Sequence, residues 1–379
     1  MKTIGIITYH HYYNYGTMLQ ALALQEKVEQ LGYQAELIDF KQDNSLSRYE
    51  MLKLRIKRMP VYIKERKKYR ALADSREKIN EKNELFEQFY KTYLHVGKKK
   101  YTTTQQLMEN PPVYDGYVVG SDQTWNPFVA NSPEAFFLPF VENKSKKGSY
   151  GPSLAVKSLS DEKEKEYRKK LSNFSFLSCR EQDGAQLLSR ITQKEVKCVL
   201  DPTLLLSAKE WGKYCEFEIP KEPYILVYFL GEKSEHRRAV EKIQKLTNWK
   251  IISLPAAYLE MENNDYKKVW GGPKEFLSLI RGAALICTDS FHGTMFSINF
   301  QRNFFSFCKS SDSEESSENS RLYSALNIFG LSNRIIHNMD NLTAEDISID
   351  YKNVIPILEE QRRDSIEYLE NMLFEMTKG

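Results

Sequence analysis

The segment Thr288-Asp289-Ser290-Phe291-His292-Gly293-Thr294 gathers hydroxyls, a carboxylate, an imidazole and a glycine within seven residues. It follows the apolar run Ala284-Leu285-Ile286-Cys287 and precedes residues of helical composition to Ile298. A strand, a small polar turn and a helix starting near Thr294 would offer backbone N–H groups and a positive helix end to an anion. His292 suits donation to a phosphate or carboxylate, or proton transfer near neutral pH; a cap that ties the loop together is the plainer role. Ser290, Gly293 and Thr294 complete this anion-binding set. Arg180, after Phe174-Ser175-Phe176-Leu177, suits a two-pronged grip on a carboxylate or phosphate, or else an ion pair with Glu181 or Asp201.

A second set follows other apolar runs. Asn14, Tyr15 and Gly16 come after Ile4-Gly5-Ile6-Ile7, where a glycine admits close backbone approach to a ligand or makes a tight turn. Ser121 and Asp122 come directly after Gly116-Tyr117-Val118-Val119-Gly120. With Trp125 and Asn126 they suit a sugar, hydroxyl to carboxylate and ring to indole, or a capped helix start with a core tryptophan. His95, His236 and His337 lie outside any motif, and His10 and His11 read as supporting or plain structural residues of the first loop. No cluster has metal-ligand spacing, and P-loop, G-x-G-x-x-G, H-E-x-x-H and G-x-S-x-G motifs are missing, so neither a metal nor a redox cofactor is expected.

The elements that position these residues alternate. Ile4–Ile7, a helix from Met18, a stop at Gly32 and a strand at 35–40 form a βαβ unit, which requires a parallel sheet with a right-handed crossover. Strands are expected at 116–119, 174–177, 196–200, 224–229, 250–254 and 284–287, with helices at 161–171, 234–246, 276–280 and 354–376. The chain divides into an α/β domain at 1–210, a second at 222–350 and a terminal helical segment at 351–379. The first carries a basic helical insertion at about 44–100. Between Lys53 and Arg70 nine basic residues face a single acid, Glu65, among interleaved apolar residues. That pattern suits a solvated helical arm or a patch for anionic lipid or a phosphorylated acceptor. The acidic run Ser310–Ser320 reads as a mobile loop.

Bulk properties narrow the class. A chain of 379 residues exceeds one hydrophobic core, and 41% hydrophobic residues fill two. A net charge of +3 gives nucleic acid no electrostatic footing. Five cysteines without C-x-x-C spacing, no signal-peptide core and no long apolar run point to a cytoplasmic protein, able to work at the inner face of the membrane.

Taken in order, Asn14-Tyr15-Gly16 with Leu19-Gln20-Ala21, Gly120-Ser121-Asp122-Gln123 with Trp125-Asn126, Ser149-Tyr150-Gly151, Arg180-Glu181, Asp201-Pro202-Thr203 and Thr288–Gly293 resemble the polysaccharide pyruvyl transferase family over nearly the whole chain. Departures are Gly151-Pro152-Ser153, where an alanine-rich stretch is usual, and the basic insertion. The resemblance implies a GT-B-like fold: two Rossmann-like domains facing across a cleft, with the C-terminal helix packed back on the first. It also implies transfer of pyruvate from phosphoenolpyruvate to a sugar as a ketal, with His292 and Arg180 at the donor, the donor side in the second domain and the acceptor side in the first. The sugar belongs to a surface polysaccharide of the cell envelope or its precursor, which can be lipid-linked. Asp289 and Asp122 stand beside His292 as candidate acids. A GT-B glycosyltransferase using a nucleotide sugar, and a non-catalytic protein of a polysaccharide pathway, remain alternative readings. Oligomeric state is left open.

Overall fold

Ile4, Ile6 and Ile7 are fully buried, as an inner strand covered on both faces demands. The computed structural model describes residues 1–42, 75–129, 134–231, 234–256, 266–309, 319–337 and 342–378. Its first half runs β1 (Thr3–Ile7), α1 (Tyr15–Gln30), β2 (Gln34–Leu37), α2 (Arg76–Tyr93), α3 (Thr104–Glu109), β3 (Gly116–Val119) and β4 (Lys147–Ser149). It continues with α4 (Asp161–Leu171), β5 (Ser178–Cys179), α5 (Gln182–Thr192), β6 (Lys197–Cys198) and α6 (Ala208–Trp211). The second half runs β7 (Tyr224–Tyr228), α7 (Ser234–Thr247), β8 (Lys250–Ser253), β9 (Lys267–Lys268), α8 (Pro273–Gly282) and β10 (Leu285–Thr288). Then come α9 (Phe291–Asn299), β11 (Asn303–Phe307), α10 (Asn319–Ile328), β12 (Ile335–Ile336) and α11 (Val354–Thr377).

The strands form two parallel sheets. The first has the order β2-β1-β3-β4, and the β5-β6 pair continues it through the Gly148–Phe176 bridge. The second has the order β12-β11-β10-β7-β8-β9. Parallel order places every strand's carboxyl end on one edge, where loops lead into helices.

The halves meet through α1, α8 and α9. α1 is apolar nearly all round, with only Glu26, Glu29 and Gln30 not buried, so it is shared between the halves rather than laid on a surface. The Tyr15 hydroxyl donates to the Gly271 carbonyl at 2.6 Å, and its ring stacks on Phe276 at 4.4 Å. Asn299, ending α9, donates from Nδ2 to the Thr203 and Leu206 carbonyls at 2.9 and 2.8 Å. α11 returns to the first sheet: Tyr368 donates to the Ser149 carbonyl, and Met372 and Met376 lie over Gly148 and Gly116.

Several expectations need correction. α9 begins at Phe291, not near Thr294, because the Ser290 side chain caps it by accepting from Gly293 N–H. Gly293 and Thr294 therefore lie inside the first turn. The strand expected over 174–177 is displaced to Ser178–Cys179. The charged segment does not end as a purely solvated arm, since Phe86 and Phe89 of α2 are buried against Tyr15 and Tyr214. Lys53–Arg70 lies outside the described residues, as does most of the acidic run, of which Asn319 and Ser320 open α10.

Candidate active site

Arg180 follows β5, Asp201 follows β6, and His292 sits in the first turn of α9, so loops of both sheets converge on one point. Arg180 Nη1 donates to Asp201 Oδ2 at 2.6 Å, and His292 Nε2 lies 3.5 Å from the same oxygen. The other oxygen, Asp201 Oδ1, accepts from the backbone N–H and hydroxyl of Thr203 at 3.0 and 2.6 Å. Phe291 lies under the guanidinium, 4.2 Å from Cζ to the ring centre, and Arg321 approaches the same ring at 5.9 Å. Arg180, Asp201 and His292 are all buried.

Burial opposes charge on Asp201, but His292, Arg180 and the Thr203 hydroxyl outweigh it and hold the carboxyl well below its usual range. Burial likewise opposes charge on Arg180, and Asp201, Glu181 and Asp122 outweigh it and raise its pKa. Arg180 Nε stands 3.6 Å from Glu181 Oε1, and neither Nε nor Nη2 has a hydrogen-bond partner among the described residues. Glu181 is occupied elsewhere, accepting from the Ser153 hydroxyl and Leu154 N–H. Arg180 thus makes an ion pair through one nitrogen and keeps two buried donors unfilled.

Gly16 explains how the first loop reaches the site. A Cβ there would fall 2.1 Å from His292 Nδ1, so α1 can lie against the imidazole only without a side chain. Asn14 caps α1, its side chain accepting from Thr17 N–H at 3.1 Å. The Thr17 hydroxyl donates to Asp122 Oδ2 at 3.0 Å, which ties the loop after β3 to the start of α1. Ser121 N–H donates to Gln20 Oε1 and its hydroxyl to the Gly151 carbonyl at 2.6 Å. Gly120 holds φ 110° with the Tyr150 carbonyl 2.4 Å from where a Cβ would sit, so glycine is required there as well.

Some candidates are engaged within the fold itself. Trp125 is fully buried, donates from Nε1 to the Phe136 carbonyl and lies between Phe137 and Phe174, so it is a core residue rather than a stacking platform for a sugar. Asn126 closes its own loop with Gln123 and Phe128. Tyr15 joins the domains. Thr294 bonds to Ser290 and Ser306 beneath the helix. Asp289 accepts from Leu230 and Gly231 N–H at 2.6 and 2.9 Å, and burial raises its carboxyl.

Thr17 and Arg321 carry no role in the sequence reading, where Asp201 stands only as a possible partner of Arg180 and Phe291 only as part of the Thr288–Gly293 motif. Asp201 had a visible signal, an Asp-Pro-Thr turn after a strand, whereas Arg321 had none. A cavity of about 920 Å³ between α11 and the β5-β6 edge lies at the amino ends of the strands, where Phe174–Leu177 and Lys194–Lys197 line it, away from this site. Among the described residues no helix is long and apolar enough to cross a membrane.

Comparison with known proteins agrees with the architecture. The UDP-N-acetylglucosamine 2-epimerase of Rickettsia bellii superposes with a TM-score of 0.50 at 9% identity, covering 97% of this chain and 96% of that one. The UDP-GlcNAc 2-epimerase of Methanocaldococcus jannaschii gives 0.48 at 13% identity, covering 95% and 100%. E. coli heptosyltransferase WaaC with ADP gives 0.42 at 9%, covering 95% and 99%. At these identities the likeness concerns the fold, which is GT-B-like, with two Rossmann-like domains facing across a cleft and a C-terminal helix on the first. No curated protein matches the chain. The sequence profile of one family matches residues 14–307, from the loop that packs on His292 to the end of β11, and by that match the chain belongs to the polysaccharide pyruvyl transferase family.

Proposed function

We propose that the enzyme moves the pyruvyl unit of phosphoenolpyruvate onto two hydroxyls of a sugar in a surface polysaccharide or its precursor, forming a ketal. The observation that carries this reading is the meeting of Arg180, Asp201 and His292 from both domains in a member of this family. Phosphoenolpyruvate bears a carboxylate and a phosphate. The two unfilled donors of Arg180 suit one of these groups in the bidentate manner of a guanidinium. His292, held by Asp201, delivers a proton to the methylene carbon and so makes C2 electrophilic. One sugar hydroxyl attacks C2, the C2–O bond to phosphate breaks with its electrons leaving on phosphate, and the second hydroxyl closes the ketal. Two hydroxyl protons are released, one replaces the proton given to the methyl group, and one departs with phosphate. The scheme uses no redox cofactor.

Asp122, Ser121, Asn14 and Gly16 flank this point from the first domain and border the acceptor. The basic run Lys53–Arg70 gives the enzyme a means to meet a lipid-linked acceptor at an anionic membrane face, at about 1 kcal/mol per charge near the surface. The test is release of inorganic phosphate from phosphoenolpyruvate across a panel of lipid-linked and nucleotide-linked sugars. Acceptor-dependent release supports the reading. Turnover of a nucleotide sugar as donor, with phosphoenolpyruvate inert, replaces it with glycosyl transfer.

A further inference from the structure

His10, His11 and Asp39 stand at the carboxyl edge of the first sheet, in the loops that follow β1 and β2. One ligand atom of each lies within 4.8 Å of the other two. His10 is 0% exposed; its Nδ1 lies 2.9 Å from the Thr8 carbonyl, and its buried Nε2 has no hydrogen-bond partner among the described residues. A backbone carbonyl on one ring nitrogen with the other left bare is how proteins orient an imidazole toward a metal. His11 Nε2 lies 2.9 Å from Asp39 Oδ1 yet makes no hydrogen bond, so the two ligand atoms stand side by side. We infer that His10, His11 and Asp39 bind one divalent first-row transition-metal ion, for which zinc is the reference probe.

The ligand set favours this class of ion. Two imidazoles and one carboxylate with a remaining open position are a common zinc arrangement, and imidazole also suits cobalt, nickel and copper. Lys41 and Lys100 act on both His11 and Asp39, and Tyr90 packs over both imidazoles. Those ammonium groups oppose a hard cation held by charge alone, such as magnesium, more than one bound through nitrogen lone pairs. Donors of a tetrahedral zinc shell stand about 3.3 Å apart, from metal–ligand lengths of ~2.0–2.1 Å. Binding therefore needs the most distant pair to close by at most about 1.5 Å. The site also connects to the loop after β3, because Thr8 holds His10 through its carbonyl and the Ser121 carbonyl through its hydroxyl.

The test uses the full chain, stripped with a chelator and reloaded with Zn²⁺, Co²⁺ or Mg²⁺. Metal content after desalting, the visible absorption of bound Co²⁺ and the thermal midpoint are then read. The expected result is one Zn²⁺ or Co²⁺ per chain and a midpoint that rises on loading. Affinity should fall at least tenfold in His11→Gln, at a half-buried position, and in Asp39→Asn, at a buried position where the amide keeps the carboxylate's volume, while both variants keep the wild-type midpoint without metal. Retention by wild type of no more Zn²⁺ than a variant carrying both His11→Gln and Asp39→Asn, unchanged binding in both single variants, or preference for Mg²⁺ would each overturn the assignment. None of these readouts depends on pyruvyl transfer, so the site stands or falls apart from the proposed reaction.

Discussion

Replacing Asp201 by Asn removes the charge that Arg180 and His292 share while keeping nearly the same volume. Asp201 is 2% exposed and Arg180 5%, so water cannot take over from the lost carboxylate. Removing one partner of a buried ion pair costs about 3–5 kcal/mol, because the other charge is left uncompensated. Glu181, 3.6 Å from Arg180 Nε, offsets part of this, which places the expected loss near the lower end, about 3 kcal/mol. At ~2–4 °C per kcal/mol for a domain of this size, the midpoint should fall by roughly 6–12 °C. The assay is urea unfolding of wild type, Asp201→Asn, Arg180→Met and the double variant as a cycle. With both charges removed, the double variant should recover at least half of the single-variant loss, since an apolar replacement of a buried pair is close to neutral. A single-variant loss under about 1 kcal/mol, or a double-variant loss equal to the sum of the singles, would refute the idea that this carboxylate compensates a buried guanidinium.

Three further outcomes follow from the same geometry. Gly16→Ala should lower kcat at least tenfold and cost ~1–3 kcal/mol by overpacking against His292, outweighing the gain of at most about 1 kcal/mol from helix propensity; kinetics near wild type would deny that contact. Arg180→Lys should raise the KM for phosphoenolpyruvate more than tenfold, since a point charge cannot replace a planar fork; an unchanged KM removes Arg180 from the donor site. In metal-free protein, stability should fall by about 2 kcal/mol between pH 7 and 5.5. Below about 6.5 the unfolded chain protonates His10 and His11, whereas the folded chain does so only near 4 and 3, so their stabilisation is present above 6.5 and lost as pH falls. His11→Gln should halve that slope in urea titrations, and a slope unchanged by the substitution counts against it.

The βαβ order was legible because inner parallel strands are continuously apolar and helix stops are marked by glycine, as at Gly32, which holds φ 91°. Positions immediately after strands were legible for the same reason, and Arg180 and His292 do converge on one carboxylate oxygen. Partners within those loops were less readable. Ser290 rather than Thr294 starts α9, since serine, aspartate and threonine there are each able to cap and only the fold selects one. Trp125 reads alike as a stacking platform or a core residue, and it is Phe137 and Phe174, distant in sequence, that enclose it. The pairing of His10 and His11 with Asp39 spans the whole of α1 and depends on β1 and β2 lying side by side. Sequence spacing alone does not encode it.

Pyruvyl transfer itself is tested most directly by incubating isotope-labelled phosphoenolpyruvate with an accepted sugar and measuring labelled ketal and free phosphate together. Wild type should yield ketal and phosphate in equal amounts, and His292→Ala should lose both by a factor of about 10²–10⁴ while keeping its fold by circular dichroism. Phosphate released without labelled ketal, or undiminished ketal formation by folded His292→Ala, would contradict the account.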